Sequence, residues 1–174
     1  MTVHLATGLA VVDGRVLLVA SRYPNHAEPL WNLPGGRQQA GELLTETVAR
    51  EVHEETGLRV SVGSLAYLGE SYDGERHYLS ACFLVEVVAG SPFDTAQGDT
   101  TAPSFDSRPS GAAQDDKVDH VVAWEWVAIE ELAERIVVGV VREPLLAYLR
   151  GELTQRYAGF HDAGITIEWP PDSE

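Results

Sequence analysis

Two short apolar runs open the chain, and the pattern then changes to a helical period. The segments HLATGLAVV and RVLLVAS read as strands on either side of Asp13-Gly14, a dipeptide suited to a two-residue hairpin turn. From Leu43 to Thr56 the period becomes helical: the stretch has no Gly or Pro, is rich in Leu, Glu, Ala and Arg, and stops at Gly57. On a wheel of about 100° per residue, Leu44, Thr45, Val48, Ala49, Val52 and Thr56 share one arc, the side expected to face a core. Glu51, Glu54 and Glu55 fall on the adjoining arc, with Arg50 just beyond Glu54, so an acidic stripe is expected along the rim of the buried face.

Period-two patterning returns in LRVSVGSLAYLGESY and ERHYLSACFLVEVV, joined through Asp73-Gly74, and again in HVVAWEWVAI. Trp124 and Trp126 alternate with Glu125 and read as strand packing. A short helix IEELAER follows, and Pro144 suits the first turn of another, PLLAYLRGEL. Near the C-terminus GITIEW has the pattern of one more strand. Between Ala89 and Lys117 the pattern lapses into Gly, Ser, Thr, Pro and Asp without apolar period. Loops beyond about 12–15 residues are uncommon inside a compact domain, and residues 89–117 read as a disordered insertion rather than a substrate lid.

Length and charge narrow the class. With 174 residues and 44% hydrophobic content, one domain spanning residues 1–174 with a substantial core is expected. A basic leader ahead of the first short apolar run is missing, and no apolar stretch approaches the ~20 residues that span a bilayer, so no membrane association and a cytoplasmic location are expected. A formal net charge of −15 opposes attraction to a nucleic-acid backbone and disfavours long RNA or DNA as a partner. The single cysteine, Cys82, lies in an apolar run and reads as a buried thiol rather than a nucleophile.

The acidic stripe carries the chemistry. Side chains three or four apart on a helix lie about 5–6 Å apart at Cβ, so three ionised glutamates there repel one another unless a cation offsets them. Alone, such a stripe is an ordinary solvated face. Its surroundings are not ordinary: Gly36, Glu42, Arg50, Glu51, Val52, Glu54, Glu55, Gly57 and Leu58 fall into the spacing G-x5-E-x7-R-E-U-x-E-E-x-G-U, where U is aliphatic. Ahead of it, Trp31-Asn32-Leu33-Pro34-Gly35-Gly36 supplies an aromatic anchor, a rigid proline and two glycines that permit close backbone approach.

The segment from Gly36 to Leu58 resembles the Nudix box with no fixed position missing. That resemblance implies an α/β fold, the Nudix-type α/β/α sandwich with a mixed β-sheet, and the strand order comes from it alone. It implies divalent-metal-dependent hydrolysis of the diphosphate linkage in a nucleoside diphosphate linked to another moiety, with a small nucleotide-type substrate. Glu51 and Glu55, with the Gly35 carbonyl, would hold Mg²⁺ or Mn²⁺, hard cations that prefer oxygen donors. Glu54 would orient or deprotonate the attacking water or bind a second metal, Arg50 would hold the glutamates in place, and Glu42 would support the loop. Arg22 and Arg37 are the cations best placed for substrate phosphate.

Many Nudix enzymes draw a further acidic ligand or base from the region beyond the insertion. Asp115, Asp116, Asp119, His120 and Glu125 are the candidates, with Asp119 preferred. Two other readings stay open, a house-cleaning nucleoside triphosphate pyrophosphatase and a non-catalytic nucleotide-sensing module, though retention of all three glutamates argues against the second. There is no proline from Leu58 to Ser91, which argues against the ADP-ribose subclass; no array of the NADH type and no extended coenzyme A motif are found. Tyr72 and Tyr78 lie where a dinucleoside-polyphosphate enzyme could place a stacking ring, and strand packing explains them equally. Dimers are common among Nudix enzymes, so the resemblance allows a homodimer, with GITIEW as a candidate interface strand.

Overall fold

The computed structural model describes residues 2–88 and 121–168. The insertion at 89–117 and the candidates Asp115, Asp116, Asp119 and His120 lie outside the described residues. Among the described residues, nine strands and three helices run in the order β1 (Thr2–Leu9), β2 (Val11–Val12), β3 (Arg15–Ser21), β4 (Leu30–Asn32), β5 (Gly35–Arg37), α1 (Leu44–Thr56), β6 (Val60–Asp73), β7 (Arg76–Val87), β8 (Val121–Ala128), a 3₁₀ turn at Ile129–Glu131, α2 (Leu132–Arg135), α3 (Gly139–Leu149) and β9 (Tyr157–Phe160).

They form two sheets rather than one. The mixed sheet has the order β5-β1-β7-β6-β9, with β1–β7 and β6–β9 parallel; the second is antiparallel, β2-β3-β4, with β8 pairing β3. Apolar side chains from both sheets meet on either side. Val48 and Val52 of α1 close one core with Ala6, Ala10, Leu17, Leu58 and Val85, while Leu132 of α2, Ile136 just after it and Leu145 of α3 close the other with Leu9, Val16, Leu18, Tyr67 and Cys82. Each fully buried Leu or Val in these layers stabilises the fold by roughly 1.5–3 kcal/mol. The α/β/α sandwich is therefore present.

The expected N-terminal hairpin is only partly as read. Asp13 and Gly14 do adopt positive φ, 48° and 73°, as a two-residue turn requires. But HLATGLAVV is not one strand: Thr2–Leu9 leaves for the mixed sheet beside β7, and only Val11 and Val12 pair with β3. Ala10, 1% exposed, is the switch point between the sheets. A segment buried on both faces has no polar side to mark such a switch. The β6–β7 hairpin through Asp73 and Gly74 pairs as expected. Trp124 and Trp126 pack against the α1 core.

Two C-terminal expectations are corrected. Pro144 lies inside α3, not in its first turn, because the helix already starts at Gly139 with the Val141 and Arg142 amides donating to the Val138 carbonyl at 3.1 and 2.9 Å. An interior proline costs about 3 kcal/mol, offset here by burial of Pro144 and Leu145 and by the packing of Val141, Leu146 and Leu149 on the core. The extra strand is Tyr157–Phe160, paired with β6, rather than GITIEW. Ile165 and Ile167 pack instead on Tyr23, Leu30 and Val138.

Candidate active site

Helix α1 is positioned from both ends and from below. At its start the Glu46 carboxylate accepts the Leu43 amide at 2.7 Å, and at its end Gly57, with φ 75°, donates to the His53 carbonyl at 2.9 Å. Beneath it, a Cβ on Gly8 of β1 would stand 3.1 Å from Val52 and 3.3 Å from Val48, so the helix lies directly on bare strand backbone. That contact sets α1 against β1 and its edge partner β5, which carries the two glycines of the turn.

The buried arc is rotated from the one expected. Thr47, Val48, Glu51, Val52 and Thr56 are buried, while Thr45 and Ala49 are half-buried. Glu51 is therefore not on the rim but inside, 7% exposed, and the three carboxylates run from interior to solvent: Glu51 buried, Glu55 half-buried, Glu54 exposed. A carboxylate is buried only where partners replace water. The Arg50 guanidinium supplies that role, donating from Nη1 to Glu51 at 2.7 Å and to Glu54 at 3.1 Å.

Arg50 is itself fixed. Its Nε and Nη2 donate to the two Glu42 oxygens at 2.6 and 3.0 Å, a bidentate pair, and Nη2 also donates to the Arg37 carbonyl at 3.2 Å. Glu42 further accepts the Gln39 amide and the Thr47 hydroxyl. The bond from Arg50 is the main reason the Glu42 carboxyl is pulled down to about 2, and the same bond holds the arginine above its already high value. Glu42 is thus the anchor of the cluster.

The glycine turn meets the helix from the other side. Gly35 donates its amide to Glu55 Oε2 at 2.8 Å. Its φ of 151° is open only to glycine in practice, and a Cβ there would lie 2.2 Å from the Ala6 carbonyl oxygen. A Cβ on Gly36 would fall 2.5 Å from the Glu51 carboxyl carbon, so that carboxylate rests on the backbone of Gly36. Both glycines are close-approach positions.

The donor set suits a hard divalent cation. It consists of carboxylate oxygens beside a bare glycine backbone, and Glu51 and Glu54 already share one positive group between them. Among the described residues no three His, Cys, Asp or Glu side chains converge as a ligand group, since Arg50 stands between Glu51 and Glu54 and Glu55 is turned to Gly35.

Of the other sequence candidates, Arg37 adjoins the cluster through its carbonyl and is half-buried, whereas Arg22 is exposed. Glu125 is turned away, paired with Arg135 at 3.3 Å, whose guanidinium also lies over the Trp31 ring. Asp119 lies outside the described residues. Tyr72 is exposed and stacks on His77, with centroids 4.7 Å apart. Cys82 is 1% exposed, and burial raises its thiol to about 11, as a core thiol should behave.

Thr47 was not legible as part of the site, nor was the burial of Tyr23. Thr47 ties α1 to Glu42, and Tyr23, 6% exposed, is raised mainly by burial, opposed by a hydrogen bond with Ser21 and reinforced by the nearby Glu55 charge. Nothing in RYPN signals a tyrosine that packs with Val138, over 100 positions later.

A family model for the NUDIX domain matches residues 2–149. The chain belongs to the NUDIX domain family. Among curated Nudix relatives, an ADP-ribose pyrophosphatase of Methanocaldococcus jannaschii is 36% identical over 85 residues, 48% of this chain and 50% of that protein. An NAD-capped RNA hydrolase, NudC, of Vibrio parahaemolyticus is 39% identical over 57 residues, 33% of this chain and 20% of its own length. The chain thus spans at most half the length of these relatives. A solved NUDIX hydrolase from Nitrosomonas europaea superposes with a TM-score of 0.63 at 21% identity, covering 90% of this chain and 93% of the other, which establishes the shared fold. Nudix proteins generally use divalent metal ions, and no helix among the described residues is long and apolar enough to cross a membrane.

Proposed function

We propose that this Nudix domain hydrolyses the diphosphate linkage of a nucleoside diphosphate joined to another moiety, by water attack at phosphorus, using Mg²⁺ or Mn²⁺. The supporting observation is the graded carboxylate row, Glu51 to Glu54, gathered on one cation by an arginine that Glu42 fixes in place. Glu51, Glu55 and the Gly35 carbonyl would hold the metal, with Asp119 as a further ligand. When bound, the divalent ion neutralises the diphosphate and lowers the pKa of coordinated water.

The chain's own groups do the rest. Glu54, the most exposed of the three carboxylates, would orient or deprotonate water from where Arg50 holds it. Arg50 is a positioning residue: its hydrogen bonds to Glu51 and Glu54 offset the repulsion between the two carboxylates and hold them in place. Arg37 and Arg22 are assigned to substrate phosphate. The product would be a nucleoside monophosphate and a second phosphorylated fragment, made by a single cytoplasmic domain.

The test is product profiling over a panel of nucleotide conjugates and nucleoside triphosphates with Mg²⁺ and with Mn²⁺. Nucleoside monophosphate released from conjugates is the expected result. Pyrophosphate from triphosphates alone would favour the house-cleaning reading, and binding without turnover under any divalent metal would favour a sensing module.

A further inference from the structure

One buried hydroxyl stands behind the arginine that gathers the glutamates. Thr47 is 0% exposed, and Thr47, Arg50, Glu51 and Glu54 take the i, i+3, i+4 and i+7 positions of one face of α1. The Thr47 Oγ1 lies 2.9 Å from Glu42 Oε2 and 3.2 Å from the Leu43 carbonyl oxygen. A hydroxyl has a single proton to give, so the two contacts compete. A threonine inside a helix often back-bonds to the carbonyl four residues earlier, but the Leu43 carbonyl already accepts the Glu46 and Thr47 amides at 2.9 and 3.0 Å, which fills its two lone pairs. The Glu42 oxygen is nearer and charged, and a charge-assisted bond is the stronger of the two. The proton therefore belongs to Glu42.

Glu42 itself lies outside the helix, in the turn that precedes it. Three groups hold its carboxylate: the Gln39 amide at 3.0 Å, the Arg50 fork and the Thr47 hydroxyl. They differ in stiffness. Gln39 belongs to the same turn as Glu42 and moves with it, and Arg50 reaches the carboxylate on a long stem rich in rotamers. Thr47 is β-branched, stiff at χ1 and buried, so it is the short, rigid link between the carboxylate and the body of α1.

We propose that Thr47 is a positioning residue for the hydrolysis: its hydroxyl sets where the Glu42 carboxylate stands, and so the angle at which the Arg50 fork reaches Glu51 and Glu54. The inference rests on the diphosphate hydrolysis proposed above. Without the hydroxyl, Glu42 keeps its charge and its pairing with Arg50. What it loses is a fixed place, and the guanidinium swings with it. Arg50 meets Glu51 at 2.7 Å and Glu54 at 3.1 Å with the same nitrogen, Nη1, and hydrogen bonds weaken steeply as their angle closes. A small rotation of the fork therefore favours one glutamate at the expense of the other.

The test compares Thr47→Val, which keeps the branched shape without the donor, with Thr47→Ser, which keeps the donor with one methyl fewer. The first measurement is solvent exchange of the Arg50 Nε–H, the group 2.6 Å from Glu42 Oε1, by ¹⁵N NMR of the metal-free full chain, which is independent of turnover. Exchange should speed up about fivefold in T47V, the worth of one net hydrogen bond, and return to the wild-type rate in T47S. The second is steady-state hydrolysis of a nucleoside diphosphate conjugate: kcat should fall about fivefold in T47V with little change in KM, and recover in T47S. In a Glu42→Ala background T47V should cost nothing further, because the hydroxyl acts through that carboxylate. Unchanged exchange in T47V, a kcat loss that T47S does not recover, or a full T47V penalty in the Glu42→Ala background would overturn the proposal. Faster exchange in T47V, with no conjugate cleaved by the wild type, would instead count against the hydrolysis, so the two failures are distinct.

Discussion

Gly36→Ala tests whether the buried Glu51 carboxylate is a working part of the site. The added methyl would stand 2.5–2.7 Å from the three atoms of that carboxyl group, whereas ordinary contact between such atoms begins near ~3.5 Å. The carboxylate must retreat by about 1 Å, and a displacement of that size at a reacting centre can cost ~10²-fold in turnover. The fold should survive, because what yields is the end of a flexible side chain. Weakening the 2.7 Å bond from Arg50 should cost roughly 1–2 kcal/mol. Gly35→Ala is the contrasting control: its methyl meets backbone at 2.2 Å in a strained conformation, and should destabilise by about 3 kcal/mol or more. Thermal unfolding paired with kcat and KM for conjugate hydrolysis separates the two. A G36A protein with full turnover, or one that unfolds as G35A does, would refute the seating of Glu51 on Gly36 as a catalytic feature.

Removing the anchor should act on Glu51 and Glu54 through Arg50: Glu42→Gln is expected to lower kcat by about tenfold with little change in KM, measured by steady-state kinetics. The same residue predicts acid sensitivity. Because the folded Glu42 carboxyl sits at about 2, below its usual value, its contribution is present above pH ~4.5 and is lost as pH falls toward 2. Partial exposure and screening hold that contribution to at most ~3 kcal/mol, and denaturant titrations across that window should show a shallower pH slope in E42Q. Cys82 should react with a thiol reagent at pH 8 only on the timescale of global unfolding, which stopped-flow labelling in denaturant can check.

How far the sequence carried depends on whether a feature is local. Helix α1, its stop at Gly57, the β6–β7 hairpin and the inward tryptophans of β8 each follow from period and turn residues within a short window. The departure of β1 to another sheet at Ala10 does not, because its two halves have the same apolar pattern and only pairing with β7 separates them. Pro144 misled because a local rule about helix starts was outweighed by tertiary packing. In the site, spacing identified the carboxylates and Arg50, but the wheel placed Glu51 on the rim, since apolarity alone cannot foresee a charge buried against its own neighbour. The packing of Tyr23 with Val138 and the bond from Asn25 to the Thr166 carbonyl join positions over 100 residues apart, for which the sequence holds no signal.

The most direct test of the central claim is hydrolysis of a nucleoside diphosphate conjugate in ¹⁸O-water by the wild type and by the E54Q/E55Q double variant, with and without Mg²⁺ or Mn²⁺. One ¹⁸O should enter a phosphate of one product only when the divalent ion is present, and turnover by the double variant should fall by orders of magnitude while its thermal unfolding stays near that of the wild type. Undiminished, metal-dependent turnover in the double variant would contradict the assignment.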